Sequence, residues 1–244
     1  RSARYAIQND SGGSESDVYR ISARAPEPSA YGLKLVFRGD SPGAQAVGIW
    51  DMLTRAEARL DQAVGLRFWN RQLQVQWPAD GDYYSGFGGT VSLTRGDHWD
   101  VVAHELGHAI YDFGKLGAWG GGSHKIDECY SEGLALSEGW ATYFAGWLNL
   151  ELTDPDARFE HLVPRRAPIR IENVPEDVCR GPGNEWRVSA FFWDLIDLHT
   201  DETQGGAADR TTVPFARIWQ VMEGSRTAGV LPFSRSAVAA GLMG

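Results

Sequence analysis

The run from Val101 to Phe113 restricts this chain more than any other segment, because an H-E-x-x-H sequence, His104, Glu105 and His108, is set into a strongly apolar stretch. Val101, Val102, Leu106, Ala109 and Ile110 recur at helical spacing, Asp97 and Asp100 precede them as an acidic start, and Gly114 follows as a stop. Positions four apart lie above one another on a helix, so both imidazoles share one face. Two surface histidines on an ordinary helix are the bland alternative, and the apolar setting weighs against it.

Imidazoles so placed can aim two neutral ring nitrogens at one zinc ion at about 2.0 to 2.1 Å, with Glu105 beside the metal to accept a proton from bound water. A hydrolytic zinc site also needs a third protein ligand and an open fourth position. The three-histidine spacing H-E-x-x-H-x-x-G-x-x-H is broken, with Tyr111 in place of the glycine and Gly114 in place of the histidine. A downstream carboxylate is therefore expected, and Glu128, Glu132 and Glu138 are the candidates. Glu138 is followed by Trp140, Ala141, Phe144, Ala145 and Leu148, an apolar face able to pin its helix, whereas Glu128 follows a Gly-rich loop. Ligands need fixed rotamers, which favours Glu138.

Around this motif the chain reads as an α+β protein. Residues 1 to 30 are expected to be a loop-like arm with one short strand near Val18 to Arg24, and Leu33, Leu35 and Phe37 alternate as a strand. Val47, Trp50, Leu53, Ala56, Leu60 and Val64 predict a helix over 44–64 with one buried stripe. Leu73, Val75 and Trp77 alternate with glutamines as a half-buried strand, and a Gly-rich turn leads to a short edge strand, Thr90 to Thr94. Helices are expected over 134–150, 185–198, 215–222 and 234–242. Sheet first and helices second suggest two lobes, 1–116 and 117–244, with a cleft between them.

Apolar residues at 43% and charged residues at 23% exclude disorder, collagen and coiled-coil arrays. Acids outnumber Lys plus Arg by 32 to 23, a net charge of -9, which argues against nucleic acid as a partner. No apolar run reaches the roughly 18 residues of a membrane helix. No basic start precedes an apolar stretch, so any signal segment is expected to be already absent. The ten tryptophans are read mainly as core and rim side chains. Cys129 and Cys179 fit no multi-cysteine zinc pattern, leaving one disulfide or two thiols. The lone pair flanks the Glu138 helix in a chain without a cytosolic cysteine motif, so a single bond and an extracellular or periplasmic location are expected.

The segment Ser131 to Ala141, containing Glu138-Gly139-Trp140, resembles the E-G-W helix start of fungalysin and thermolysin-like enzymes, the gluzincin branch of the zincin metallopeptidases. Phe192-Trp193-Asp194-Leu195 is more weakly similar to a fungalysin helix. The resemblance implies a zincin fold, in which a mixed, twisted sheet with the active-site helix faces a helical lobe, and it implies Glu138 as the third zinc ligand. The sequence departs from the family at Thr142, where an aspartate usually supports a ligand histidine, so either some other acceptor orients that ring or it is held less firmly. The family also uses a His or Tyr to stabilise the oxyanion; Tyr111, Tyr130, His124, Arg187 and His199 are the candidates. His98, His161 and His199 read as solvated or core side chains rather than ligands. Asp194, Asp197, Asp201, Glu202 and Asp209 are weighed as a calcium site against a solvated acidic loop, which is favoured.

The function these expectations describe is a secreted zinc endopeptidase, with substrate extended along Thr90 to Thr94 and Glu105 as general base. A zinc aminopeptidase or small-amide hydrolase is the alternative among enzymes, and a binding module that keeps the fold is the alternative outside them. Oligomeric state has no signature in the sequence.

Overall fold

The computed structural model describes residues 2–9, 18–20, 36–38, 41–117, 120–198 and 212–227. The first element is strand β1 (Tyr5–Gln8), and helix α1 (Pro42–Val64) follows. Ser41 caps α1 by accepting from the Ala44 N–H, Pro42 opens its first turn, and Gly65 ends it at φ 73°. Its buried face is centred on Ile49, Leu53, Ala56 and Leu60, so Trp50, expected in that stripe, sits only half-buried beside it.

Strands β2 (Leu73–Gln76), β3 (Tyr83–Ser85) and β4 (Thr90–Ser92) join β1 in one sheet of order β1-β2-β4-β3. β1, β2 and β4 run parallel, and β3 pairs antiparallel with β4. β2 alternates as predicted, with Leu73 and Val75 buried and the glutamines between them half-buried. The expected edge strand is corrected by this order: β4 lies between β2 and β3, and β3 is the edge. The short hairpin through Gly88 and Gly89, both at positive φ, folds β3 back outside β4.

β1 falls in the arm expected to be loop. Its four residues are all buried, because it pairs with β2 and is covered by the segment at Val18 and Tyr19, whose N–H donates to Ile7 O. A strand buried on both faces shows no alternation to read. The strand expected near Val18 to Arg24 reduces, among the described residues, to one bridge between Val18 and Gln8. Positions 36–38 form no strand, and the rest of the expected 33–37 strand lies outside the described residues, as does the 234–242 helix.

Helix α2 (Trp99–Phe113) carries the H-E-x-x-H residues, and α3 (Glu132–Asn149) carries Glu138. A two-stranded pair, β5 (Arg158–Phe159) with β6 (Ile169–Arg170), follows, then α4 (Glu185–Trp193) and α5 (Phe215–Thr227). The 185–198 helix stops early, at Trp193. One cluster of buried apolar side chains runs through both halves. At its centre Trp140 lies edge-on or tilted to Tyr111, Phe192, Phe215 and Trp219, so one indole ties α2, α4 and α5 to α3.

Two glycines set how closely these helices approach. A Cβ on Gly107 of α2 would stand 2.9 Å from Ala141 Cα of α3, and one on Gly139 would stand 2.6 Å from Val188 Cβ of α4. Each glycine adjoins a candidate ligand: Gly107 lies just before His108, and Gly139 just after Glu138.

Candidate metal centre

The close helices bring three ligand atoms together. His104 Nε2 and His108 Nε2 are 3.2 Å apart, and Glu138 Oε2 lies 3.4 and 3.0 Å from them. Donors at 2.0 to 2.1 Å around a tetrahedral ion are separated by about 3.3 Å, so this set has the spacing of a group that could hold a metal ion. Buried Glu138 Oε2 makes no hydrogen bond, and a divalent cation is the partner this donor set fits. His104, His108, Glu105 and Glu138 are all buried at the floor of a cleft of about 620 Å³.

Thr142 takes up the orienting task that the sequence left open. Its Oγ1 lies 3.2 Å from His104 Nδ1, one turn along α3 from Glu138. A hydroxyl accepting there from Nδ1–H leaves Nε2 with its lone pair toward the other ligands.

The electrostatics follow from burial. Loss of solvent pushes the Glu105 carboxyl up to about 7, with Glu138 adding to the rise and His104 opposing it. Burial also raises Glu138, but the imidazoles of His108 and His104 outweigh it and hold this carboxyl well below the usual range. Glu185, at the first position of α4, is raised to about 8 by burial.

Of the other carboxylate candidates, Glu128 is exposed and bonded to Lys125 Nζ and Tyr130 OH, and Glu132 sits half-buried in the first turn of α3. Neither belongs to a ligand group among the described residues. Of the oxyanion candidates, His124 lines the cleft, with Nε2 at 3.4 Å from Glu138 Oε2 and 3.3 Å from Glu185 Oε2. Burial works to lower the His124 pKa, but Glu185, Glu138, the Gly122 carbonyl and Glu105 together outweigh it and raise it. Tyr111 is buried in the core against Trp140. Arg187 donates to the carbonyls of Cys179 and Val178, and Tyr130 supports the His124 loop by accepting from Lys125 N. His199 lies outside the described residues, as do Asp201, Glu202 and Asp209; Asp194 and Asp197 enter no ligand group among the described residues.

His98 and His161 stack at 4.3 Å along the cleft wall and are not part of a ligand group among the described residues. Asp100, expected to support the start of α2, does more than that. Its carboxylate accepts the backbone N–H groups of Glu160, His161 and Leu162, fixing a loop that lines the cleft. Glu185 was not legible as a site residue, since an acid in a first helical turn ordinarily answers the helix dipole.

A disulfide joins Cys129 to Cys179 across 50 residues. It ties the His124 loop to the chain entering α4, where Asn184 caps the helix and donates to the carbonyls of Ile126 and Glu128. Among the described residues no helix is long and apolar enough to cross a membrane. Compared with known proteins, the chain matches no protein-family model and no curated protein.

Proposed function

We propose that this protein is a zinc-dependent endopeptidase acting outside the cytosol. The observation that carries this reading is the convergence of His104 Nε2, His108 Nε2 and Glu138 Oε2 within 3.0 to 3.4 Å, with Glu105 in the same cleft. Bound zinc supplies Lewis acidity, polarising a carbonyl and easing the ionisation of water. Glu105 stands outside the ligand set and has a carboxyl raised to about 7, which suits a group that accepts a proton from the attacking water and returns it to the leaving amine. Thr142 Oγ1, accepting from His104 Nδ1–H, would hold the ring in the tautomer that leaves Nε2 free.

An extended peptide is the substrate that fits the wall of the cleft. β3 pairs with β4 on one side, and Tyr83 and Tyr84 of β3 line the cleft, so main-chain pairing along β3 would carry a polypeptide across the floor. That mode tolerates chain on both sides of the cut, which favours internal cleavage. The disulfide supports an oxidising compartment.

Digestion of denatured casein, with and without a chelator and with zinc restored, tests the reading alongside Glu105→Gln. Internal cuts that vanish with chelation and return with zinc are expected. The variant should keep its zinc and lose about 10²- to 10⁴-fold in turnover, the worth of a positioned general base. Wild-type hydrolysis by Glu105→Gln would remove the reading, and stepwise trimming from the amino end would replace endopeptidase with aminopeptidase.

A further inference from the structure

A second set of ligand atoms converges on the cleft floor. His124, Glu185 and Glu138 each offer a ligand atom within 4.8 Å of the others. His124 Nδ1 lies 3.0 Å from the Gly122 carbonyl oxygen. A carbonyl can only accept, so Nδ1 carries the proton in this contact, and with the ring neutral Nε2 would present a lone pair. That lone pair faces Glu138 Oε2 at 3.4 Å and Glu185 Oε2 at 3.3 Å. Three electron-rich atoms, two on buried carboxylates and one on a half-buried imidazole, need a positive centre among them, either a proton or a metal cation.

Spacing favours the cation. A charge-assisted N–H···O bond closes to about 2.7 to 2.9 Å, whereas donors sharing one tetrahedral ion stand about 3.3 Å apart. Glu138 Oε2, buried and without a hydrogen bond, is aimed at both sets of imidazoles. The ligands are also held in place by the protein itself. Asn184, next to Glu185, donates to the carbonyls of Ile126 and Glu128, Tyr130 N–H donates to Gly183 O, and the disulfide clamps the same two segments. Such support is what holds ligand rotamers fixed at a metal site.

We propose that His124, Glu185 and Glu138 form a second divalent-cation position, with Glu138 shared between it and the His104/His108 position, so that the cleft floor is a binuclear centre. The nitrogen-plus-carboxylate set suits zinc and its neighbours among the divalent transition metals. A cation there would offset the adjacent buried carboxylates of Glu138 and Glu185. The inference rests on the reading of His104, His108 and Glu138 as the first metal site, and the two can fail separately.

The test is metal stoichiometry of the full chain, stripped with chelator and titrated with Zn²⁺ by calorimetry, with bound zinc measured after gel filtration. Two ions per chain are expected for the wild type, and one for Glu185→Gln and for His124→Ala. The Co²⁺-loaded wild type should show spin coupling that both variants lose, a readout independent of hydrolysis. Saturation at one ion, abolished by His108→Ala, leaves the first site standing and overturns the second, with a proton in its place. Binding of no zinc sinks both. Two ions retained in Glu185→Gln and His124→Ala would also overturn the assignment. Should a variant fail to fold, wild-type stoichiometry and cobalt coupling decide alone.

Discussion

Asp100→Asn changes a single atom of a side chain with no exposed surface, and its cost can be worked out from the contacts around it. Oδ2 accepts the N–H groups of Glu160 at 2.7 Å, His161 at 2.6 Å and Leu162 at 3.1 Å, while Oδ1 accepts from Val101 N at 3.0 Å and faces His161 Nδ1 at 3.2 Å. The asparagine amide cannot serve both groups. With its oxygen toward the loop, its NH₂ meets the Val101 N–H; turned over, it leaves three loop donors without an acceptor. Bonds to a charged acceptor contribute about 1.5 to 3 kcal/mol and neutral ones about 0.5 to 1.5, so three weakened bonds cost about 3 kcal/mol before any unpaired donor is counted. For a chain of this size each kcal/mol moves Tm by about 2 to 4 °C, giving a fall of roughly 6 to 12 °C. Circular dichroism melts of wild type, Asp100→Asn and Asp100→Ala at neutral pH measure it, with the alanine variant expected to fall further. Zinc content should hold, since His104 and His108 lie further along α2 and do not touch the 160–162 loop's hydrogen bonds. A fall below about 2 °C for Asp100→Asn, less than one kcal/mol on the same scale, would show that the loop is held by something other than this carboxylate.

Thr142→Val should weaken zinc binding by about 10- to 100-fold while Thr142→Ser keeps it, because only the hydroxyl meets His104 Nδ1; equal affinity in a competition titration would end that assignment. Replacing both Cys129 and Cys179 by serine releases a 50-residue span and should cost about 4 kcal/mol in the chain-entropy model, read from urea midpoints; an unchanged midpoint would contradict it. Asp127 is held well below the usual carboxylate range, foremost by its hydrogen bonds from Arg165. Its contribution is therefore complete above the unfolded value of about 3.9 and is lost as pH falls from there toward the folded value. The stability gap between wild type and Asp127→Asn should accordingly be constant at neutral pH and close below about pH 4, and a gap that widens in acid would refute the pairing.

Amphipathic elements, and the candidate ligands that share one of them, could be read from the residues alone. His104, Glu105 and His108 were legible because helical periodicity places i and i+4 on one face whatever packs against it. α1 and β2 were legible for the same reason, since each buries one face and exposes the other. β1 was not, because a strand covered on both sides carries no alternation, and the arm around it is polar. Strand order was decided only in three dimensions: spacing cannot say that β3 folds back outside β4 and takes the edge. Glu138 lay between. Its apolar helix and its resemblance to the E-G-W segment pointed to it, but the contact depends on Gly107 letting α2 meet Ala141 of α3. Thr142 as the partner of His104, and Glu185 beside His124, are products of tertiary structure alone. Both pairs join residues far apart in sequence on different elements, and no local pattern records which side chains a close helix crossing and a disulfide will bring face to face.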